Sequence, residues 1–329
     1  MRYVLGFDIG GTKLSVSLGR AADTQMQIVD KIRMETPKAG DYEQSKILML
    51  SASKELLSRH GIHKKDIHSA GISCGGPLNA KKGIILSPPN LPGWDDIHIT
   101  DDFSERLGVP VYLENDANAC ALAEWRYGSG RGSQNMIFLT FGTGFGAGLI
   151  LDGKLYAGAN GMAGEIGHCR APSTDASYYS PVGYGKAGSF ESYCSGGGLV
   201  ELSKLIVMEK LQLGEKVGFC PNPQAIDAIT GKLLAEAALA GDETAREIFI
   251  ISGQKLGAAL ALLVDLLNPE VIVIGSIYTR CVELLEKHAL QVLKRESLSI
   301  SASVCRILPS EMDADLGDMA ALSVAAATP

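Results

Sequence analysis

Two stretches of this chain, about 130 residues apart, carry the same pattern of strand, glycine-rich turn and strand. In the first, apolar residues alternate over 3–9, "GGTK" follows, and the period of two resumes at Leu14, Val16 and Leu18. In the second, "MIFLTF" and "LIL" flank "GTGFGAG" within 136–151. Because a structural unit that recurs along a chain indicates a repeated architecture, we expect two structurally related halves.

Each half continues with mixed helix and strand signals, which predicts an α/β protein. Apolar periodicity predicts helices near 44–60, 117–127, 198–210, 223–240, 242–267, 281–295 and 312–327. Short apolar runs predict further strands near 108–115, 271–275 and 303–308. We expect one domain to comprise 1–116 with 310–329, and the other to comprise 117–309.

Charge and cysteine usage exclude several classes of protein. The 329-residue chain has a net charge of −7 and no dense Lys/Arg run, whereas binding of a phosphate backbone needs a clustered basic footprint. We therefore expect no nucleic-acid partner. Seven scattered cysteines without a C-x-x-C pair predict reduced thiols in a cytoplasmic protein.

Membrane and export signals are weak. The first residues enter a strand-like pattern directly, "YVLGFDIGG", with no basic segment or cleavage site. The most apolar run, "LGAALALLV" through Leu267, contains Asp265 and is predicted to be a buried helix too short to span a bilayer. We expect a cytoplasmic protein with no membrane partner.

The two glycine-rich turns are the strongest local signals for a ligand. In Asp8–Lys13 ("DIGGTK") and Phe141–Gly148 ("FGTGFGAG"), glycines allow backbone N–H groups to approach a phosphate closely. The hydroxyls of Thr12 and Thr143 can donate to phosphate oxygens, and Asp8 can hold a hydrated Mg²⁺. The alternative is that both are merely tight hairpin turns.

The second turn also matches the dinucleotide fingerprint at Gly142-x-Gly144-x-x-Ala147. That fingerprint needs a helix directly after it and an acidic residue about 20 residues further on. Here a strand, "LIL", follows, and the nearest acidic residue is Asp152. The nicotinamide interpretation is therefore rejected, and no P-loop motif occurs.

An acidic residue follows a predicted strand in "YLENDANACALAEW". This places Asn115 and Asp116 where a strand ends and a helix begins, the end of the strand at which α/β proteins collect ligands. Asp116 can serve as the helix N-cap. It can also be a general base that takes a proton from a substrate hydroxyl as that hydroxyl attacks a γ-phosphate.

Taken in order, several motifs resemble those of the ROK family of repressors, open reading frames and sugar kinases. They are "DIGGTK", "SPPNLPGW", "ENDAN", "TFGTGFGAGLILDGKLYAG", "AGEIGH", "NPEVIVIG" and "LGDMAAL". The resemblance covers essentially the whole chain. It implies an actin-like ATPase fold, with two ribonuclease-H-like domains around a central cleft. It also implies ATP- and Mg²⁺-dependent phosphorylation of a hexose or N-acylated hexosamine, usually at the 6-hydroxyl, often in a homodimer.

The resemblance also implies roles for individual residues. Asp116 would be the catalytic base, and Asp8 would hold Mg²⁺ through water. The implied sugar ligands are Gly76, Asn90, Asn115, Asp116, Glu165, His168 and Glu191. The implied ATP ligands are Gly10, Gly11, Thr12, Lys13, Gly142, Thr143, Gly144, Gly197, Gly198 and Gly275. Planar donors and acceptors of this kind suit carbohydrate hydroxyls, because each unpaired buried hydroxyl partner costs about 1–3 kcal/mol.

The chain departs from the family pattern in two places. Many members carry a C-x-C-G-x-x-G-C-x-E segment that binds structural zinc together with the matching histidine. Here that segment reads "VGYGKAGSFE", with Val182, Tyr184 and Ser189 where thiolates would stand, so we expect no structural zinc. The alternative is an improvised metal site from His168, Cys169 and Cys194; otherwise Cys169 is incidental. The second departure is Ser276, which follows Gly275 where another glycine is common.

Three functions remain open from the sequence. The first is a cytoplasmic sugar kinase, with glucose as the first candidate and N-acetylmannosamine, N-acetylglucosamine, allose or fructose as alternatives. The second is a sugar-sensing regulator of the same family, although the first phosphate loop is reached by residue 8 and the charge disfavours DNA. The third, a catalytically inactive sugar-binding protein, is disfavoured by retention of Asp8, Thr12, Asp116 and Thr143.

Overall fold

The computed structural model describes residues 1–37, 41–172, 179–183 and 185–327. The chain divides into two compact units. The first comprises Met1–Phe138, Gly148–Ala163 and Glu311–Pro329, and the second comprises Leu139–Ala147 and Gly164–Ser310.

A five-stranded sheet forms the centre of the first unit. Strands in the first half of the chain are β1 (Arg2–Ile9), β2 (Lys13–Ala21), β3 (Met26–Glu35), β4 (Ile67–Cys74), β5 (Leu78–Asn79), β6 (Ile84–Ile85) and β7 (Val111–Asn115). The sheet order is β3-β2-β1-β4-β7, and β5 and β6 form a separate pair. β1, β2 and β3 are antiparallel, whereas β1, β4 and β7 are parallel. The carboxyl ends of three parallel strands therefore share one edge.

Helices cover both faces of this sheet. They are α1 (Tyr42–Arg59), α2 (Ile99–Leu107), α3 (Asp116–Tyr127) and the last helix of the chain, α11 (Leu316–Ala326). Alternate residues of β1 face opposite sides, so Phe7 packs edge-on against Phe103 of α2 while Val4 joins the cluster around Leu322 of α11. A Cβ at Gly71 would lie 2.2 Å from Ala321 O, so only glycine permits α11 to approach β4 this closely.

The second five-stranded sheet repeats the strand order of the first. The remaining strands are β8 (Met136–Phe141), β9 (Phe145–Leu151), β10 (Lys154–Leu155), β11 (Val182–Gly183), β12 (Lys186–Ala187), β13 (Val271–Ile274) and β14 (Arg306–Pro309). The sheet order is β10-β9-β8-β13-β14, with β13 and β14 parallel, and β11 and β12 form a hairpin. In both sheets the order is third, second, first, fourth, fifth, so the predicted relation between the two halves is confirmed.

The helices of the second unit surround α7. They are α4 (Glu191–Cys194), α5 (Gly196–Gln212), α6 (Gly231–Leu239), α7 (Glu243–Leu267), α8 (Ile277–Arg280), α9 (Val282–Glu296) and α10 (Ser299–Val304). Asp242 caps α7 by accepting from Ala245 N at 2.9 Å. Asn268 ends α7 in the left-handed conformation before Pro269, as predicted.

The apolar run predicted to be a buried helix too short for a membrane lies within α7, which matches the helix predicted at 242–267. α7 has 25 residues and, among the described residues, is the helix long and apolar enough to cross a membrane. However, 67% of its apolar window is buried inside the protein. Core helices pass the same test of length and composition, so α7 is weak evidence for a membrane span.

Other sequence predictions differ in detail. The helix predicted at 223–240 is a 3-10 turn followed by α6, and the strand predicted at 303–308 begins only at Arg306 because α10 precedes it. Strands β3 and β4 and helix α2 were not predicted. Residues 117–138 belong to the first compact unit, because α3 packs against α11. The predicted boundaries of the two domains stay a prediction.

Candidate active site

The turn between β1 and β2 exposes the residues predicted to bind phosphate. Gly10 N donates to Lys13 O at 3.0 Å, which closes the turn, and Thr36 Oγ1 donates to Gly10 O at 2.6 Å. Gly11, Thr12 and Lys13 are solvent-exposed at its tip. The first predicted phosphate loop is therefore a turn held by hydrogen bonds, and its tip exposes backbone and side-chain donors to solvent.

Asp8 lies one residue before the end of β1 in an environment that disfavours its charge. Burial, followed by the nearby carboxylates of Asp318 and Asp116, raises the pKa of Asp8 to about 7. A cavity of about 180 Å³ adjoins Asp8 and is also lined by Lys13 and Arg33. A cation placed there would reverse the effect on the pKa, since opposite charge favours the ionised form. The donor set therefore fits a hydrated Mg²⁺ at Asp8.

The end of β7 and the start of α3 present Asn115 and Asp116. Asn115 is the N-cap of α3, and its Oδ1 accepts from Ala117 N at 3.0 Å. The alternative of Asp116 as N-cap is therefore wrong, although its Oδ1 also accepts from Ala117 N, at 2.9 Å. The side chain of Asp116 is accessible to solvent. The surrounding protein nevertheless removes part of its hydration, and this desolvation raises the pKa of its carboxyl group.

Asn90 and two glycines converge on the same edge of the first sheet. A Cβ at Gly75 would lie 3.4 Å from Asn90 Nδ2 and 3.9 Å from Asp116 Oδ2. A Cβ at Gly76 would lie 3.4 Å from Asn115 Nδ2. The structure thus brings together four predicted sugar ligands of the first unit, and it adds Gly75, which sequence reasoning missed.

Glu114 is a second residue that the sequence reasoning missed. Its Oε1 accepts from Asn115 N at 2.9 Å and from Asn118 Nδ2 at 3.0 Å, which ties the end of β7 to the first turn of α3. Burial raises the pKa of Glu114. The motif "ENDAN" contains both residues, but Glu114 belongs to β7 and Asn118 to α3, so their contact depends on the turn between strand and helix.

The second glycine-rich turn lies against the start of α5. Gly142 N donates to Gly144 O at 3.1 Å, and Gly142 O accepts from Gly196 N at 2.7 Å. Thr143 is solvent-exposed at the tip of the turn. This contact joins the second predicted phosphate loop to a helix N-terminus, where unpaired N–H groups favour anions.

Glu165, His168 and Glu191 lie near one another in the second unit. A 3-10 turn at Ile166–His168 places His168 Nε2 3.9 Å from Glu165 Oε2. Phe145 N donates to Glu191 Oε2 at 3.1 Å, so Glu191 also touches the second glycine-rich turn. Burial, and to a smaller extent the charge of Glu165, raises the pKa of Glu191.

A cavity of about 520 Å³ opens beside the second glycine-rich turn. Its lining includes Thr143, Val182, Gly183, Glu191, Ser195, Gly196, Gly197, Gly198, Glu201, Ile229, Thr230 and Gly231. Ser195 Oγ accepts from Gly198 N at 3.0 Å and caps α5, and Thr230 Oγ1 accepts from Leu233 N at 3.1 Å and caps α6. Two capped helix starts therefore face one cavity. Ser195 and Thr230, each before a glycine, were missed as candidate binding residues.

Gly275 and its neighbour lie close to the second turn. Gly275 N donates to Leu139 O at 3.0 Å, and Gly275 is not among the residues that line the cavity in the described part of the chain. Ser276 adopts φ 62° and ψ −116°, a conformation that favours glycine. Its Oγ would lie 3.3 Å from a Cβ at Gly142.

His, Cys, Asp and Glu side chains are spread through the described ranges. No group of three or more His, Cys, Asp or Glu side chains is arranged there to hold a metal. Cys169 is exposed, whereas Cys194 is buried. Tyr184, one of the residues at the thiolate positions, lies outside the described residues.

Comparison with known proteins identifies the class to which this fold and these sites belong. The model of the ROK family matches residues 4–327, and the chain belongs to that family. A glucokinase of Halalkalibacterium halodurans is 33% identical over 275 residues, which cover 83% of this chain and 80% of that protein.

Solved structures agree on the fold. A ROK family glucokinase from Streptomyces griseus, in complex with glucose and AMPPNP, has a TM-score of 0.76 at 28% identity and covers 99% of this chain and 100% of that one. A ROK family transcriptional regulator has a TM-score of 0.82 at 22% identity, covering 98% of this chain and 77% of that one, and supports the fold alone. The predicted actin-like ATPase fold is confirmed.

Proposed function

We propose that this protein, an ATP-dependent sugar kinase, transfers the γ-phosphoryl group of ATP to the 6-hydroxyl of a hexose, with glucose as the first candidate. The observation that carries the proposal is the position of Asp116 at the carboxyl end of β7. There its carboxylate is accessible and is accompanied by Asn90, Asn115 and Gly76. N-acetylmannosamine, N-acetylglucosamine, allose and fructose are the alternative acceptors.

Asp116 acts as the general base. It takes the proton of the sugar hydroxyl while that oxygen forms a bond to the γ-phosphorus, and the bond from the γ-phosphorus to the bridging oxygen of ADP breaks. Asn90, Asn115, Glu165, His168 and Glu191 hold the other hydroxyls. Because each good hydrogen bond discriminates between a correctly and a wrongly placed hydroxyl, these contacts select the epimer.

The two glycine-rich turns hold the nucleotide. Gly10–Lys13 and Gly142–Gly144 donate to phosphate oxygens, and Gly197 and Gly198 at the start of α5 lie beside the nucleoside, with Gly275 nearby. The cavity of about 520 Å³, with its two helix starts, supports this assignment. Asp8 would hold Mg²⁺ through water, and bound Mg²⁺ neutralises part of the phosphate charge.

A non-catalytic sugar-sensing regulator is the second candidate function. A xylose repressor of Caldicellulosiruptor bescii, which is 32% identical over 212 residues covering 64% of this chain, favours it. The retention of Asp8, Asp116 and both phosphate turns favours the kinase. We further propose a cytoplasmic location and a homodimer, and light scattering of the purified protein would test the homodimer.

The test is a coupled ADP-release assay over a panel of these sugars. We expect wild type to turn over at least one hexose, and Asp116→Ala to lose at least about a hundredfold in kcat. Asp101→Asn, at an exposed position on α2, is the control and should match wild type. Sugar binding without ATP turnover in wild type would support the regulator instead.

A further inference from the structure

The β11–β12 hairpin contacts two parts of the second unit to which we assign different ligands. On β11, Val182 and Gly183 line the cavity of about 520 Å³. On β12, Lys186 Nζ donates to the backbone oxygen of His168 at 2.6 Å. A single two-stranded element therefore touches the proposed nucleotide cavity on one strand and the proposed sugar ligand on the other.

Two further hydrogen bonds attach β12 and the residues after it to the segment that carries His168. Phe190 N donates to Cys169 O at 2.9 Å, directly after His168. Arg170 Nη1 donates to Ala187 O at 2.7 Å, next to Lys186 on β12. The hairpin and the segment carrying His168 are therefore attached at neighbouring points, and a shift of the hairpin changes the position of that segment.

Among these attachments, the bond from Lys186 is the one that reaches His168 itself. A bond from a charged donor is stronger than one between neutral groups, so it fixes the peptide group from which the imidazole projects. His168 is half-exposed, with 44% of its side chain accessible, so tight packing does not orient its ring. The peptide group from which the ring projects is held by the 3-10 turn and by Lys186, so Lys186 contributes to the position of the ring beside Glu165.

We propose that Lys186 is a positioning residue that fixes His168 for sugar binding and couples that binding to the nucleotide. This inference rests on the proposed function. A nucleotide in contact with Val182 and Gly183 restrains the hairpin, and Lys186 transmits this restraint to His168. Sugar therefore binds more tightly when the nucleotide is present, and by linkage the nucleotide binds more tightly when the sugar is present.

The first test compares Lys186→Met with Lys216→Met, which removes an exposed lysine elsewhere in the same unit. We expect Lys186→Met to raise the KM for the sugar about tenfold, the effect of one lost hydrogen bond, with little change in kcat, in the KM for ATP or in Tm. Lys186→Arg should restore most of the affinity, because a guanidinium group also donates to the carbonyl oxygen. Lys216→Met should match wild type.

The second test measures coupling by titration calorimetry. Glucose, or the sugar that wild type turns over fastest, is titrated with and without Mg²⁺ and AMPPNP. We expect AMPPNP to tighten sugar binding by wild type and by Lys216→Met, and to have little effect in Lys186→Met. No tightening in wild type would overturn the coupling. A Lys186→Met protein that matches Lys216→Met, or one whose Tm and KM for ATP change as much as its KM for sugar, would overturn the positioning role.

The same assays separate this inference from the proposed function. If wild type phosphorylates no sugar of the panel, the proposed function fails, and the calorimetry still measures whether Lys186 affects sugar binding. If wild type is active and Lys186→Met behaves like the control, the inference fails and the proposed function stands.

Discussion

At the scale of single residues, Asp8 carries a carboxyl group whose charged form is disfavoured by its surroundings. Its pKa of about 7 lies well above the ordinary value near 4, mainly because of burial and then because of Asp318 and Asp116. Between these two pH values the folded protein keeps a proton that the unfolded chain has lost. The contribution of Asp8 to stability is therefore full below about pH 4, decreases as pH rises to about 7, and is constant above.

Asp8→Asn removes this dependence in magnesium-free protein. We predict that the free energy of unfolding of wild type, relative to that of Asp8→Asn, falls by up to about 1.4 kcal/mol per pH unit between pH 4 and 7. Urea unfolding in EDTA at several pH values measures it. Asp23→Asn, at an exposed position, is the control. A difference in unfolding free energy between wild type and Asp8→Asn that is independent of pH would contradict the raised pKa of Asp8.

Asp116 leads to a prediction about the pH dependence of activity. A general base must be ionised, and desolvation raises the pKa of Asp116 above the ordinary value. As the pH falls, kcat/KM for the sugar should therefore decline at a higher pH than an ordinary aspartate would give. Initial rates at saturating Mg-ATP over a pH series measure this decline of kcat/KM on the acid side. A decline with its midpoint at or below about pH 4 would contradict the prediction.

Ser276 leads to a prediction about stability. Its φ of 62° and ψ of −116° cost a non-glycine residue about 1–3 kcal/mol, whereas glycine adds chain entropy to the unfolded state at about 0.4–1 kcal/mol. We predict that Ser276→Gly stabilises the protein by about 1 kcal/mol. Chemical denaturation measures the change. Ser276→Ala keeps the strain, so an equal gain in that variant would refute the explanation.

At the scale of elements, a buried carboxylate holds the last helix to the first sheet. Asp318 of α11 is 1% exposed and accepts from Ser15 Oγ of β2 at 2.5 Å. It also accepts from Lys31 Nζ at 3.0 Å and Arg33 Nη2 at 2.8 Å, both on β3. Because β1 lies beside β2, this network also supports the strand that carries Asp8.

We predict that Asp318→Asn destabilises the protein by about 2 kcal/mol, because the buried carboxylate loses its charge-assisted hydrogen bonds to Lys31 and Arg33, which are themselves 27% and 48% exposed. The matched control is Asp315→Asn, because Asp315 pairs with the same Lys31 and Arg33 but is 51% exposed. Its loss should cost less than about 1 kcal/mol. Equal effects in denaturant unfolding would show that burial does not decide the strength of these pairs.

At the scale of the whole molecule, side chains distant in the sequence hold the chain that follows His168. The ammonium group of Lys255, a residue only 2% exposed, donates to Pro172 O at 2.8 Å and lies 5.2 Å from the ring centre of Tyr193. Lys186 donates to His168 O in the same region. These bonds connect α7 and the β11–β12 hairpin to the chain that follows His168.

We predict that purified protein contains no stoichiometric zinc and that EDTA leaves its Tm unchanged in magnesium-free buffer. The reason is that Val182 and Ser189 cannot supply thiolates. Elemental analysis and thermal unfolding measure these two properties. One zinc ion per chain, or a lower Tm in EDTA, would contradict the prediction.

The sequence by itself determined the repeated strand–turn–strand units, the ends of the long helices and the family. These depend on local periodicity and on glycine, proline and capping residues, as at Asn268 and Pro269, which act within a few residues of the chain. The sequence also identified Asp8, Asp116 and the two glycine-rich turns as candidates, because their chemistry is visible in the motif.

Only the tertiary structure decided how these candidates are supported. The sequence suggested Asp116 as a possible N-cap, whereas the backbone geometry assigns the cap to Asn115. The raised pKa of Asp8 comes from burial and then from Asp318, more than 300 positions away in the chain, and the contact of Lys186 with His168 needs the hairpin to fold back. Burial and charge act through space, and the sheet that brings distant residues together is not encoded at any single position.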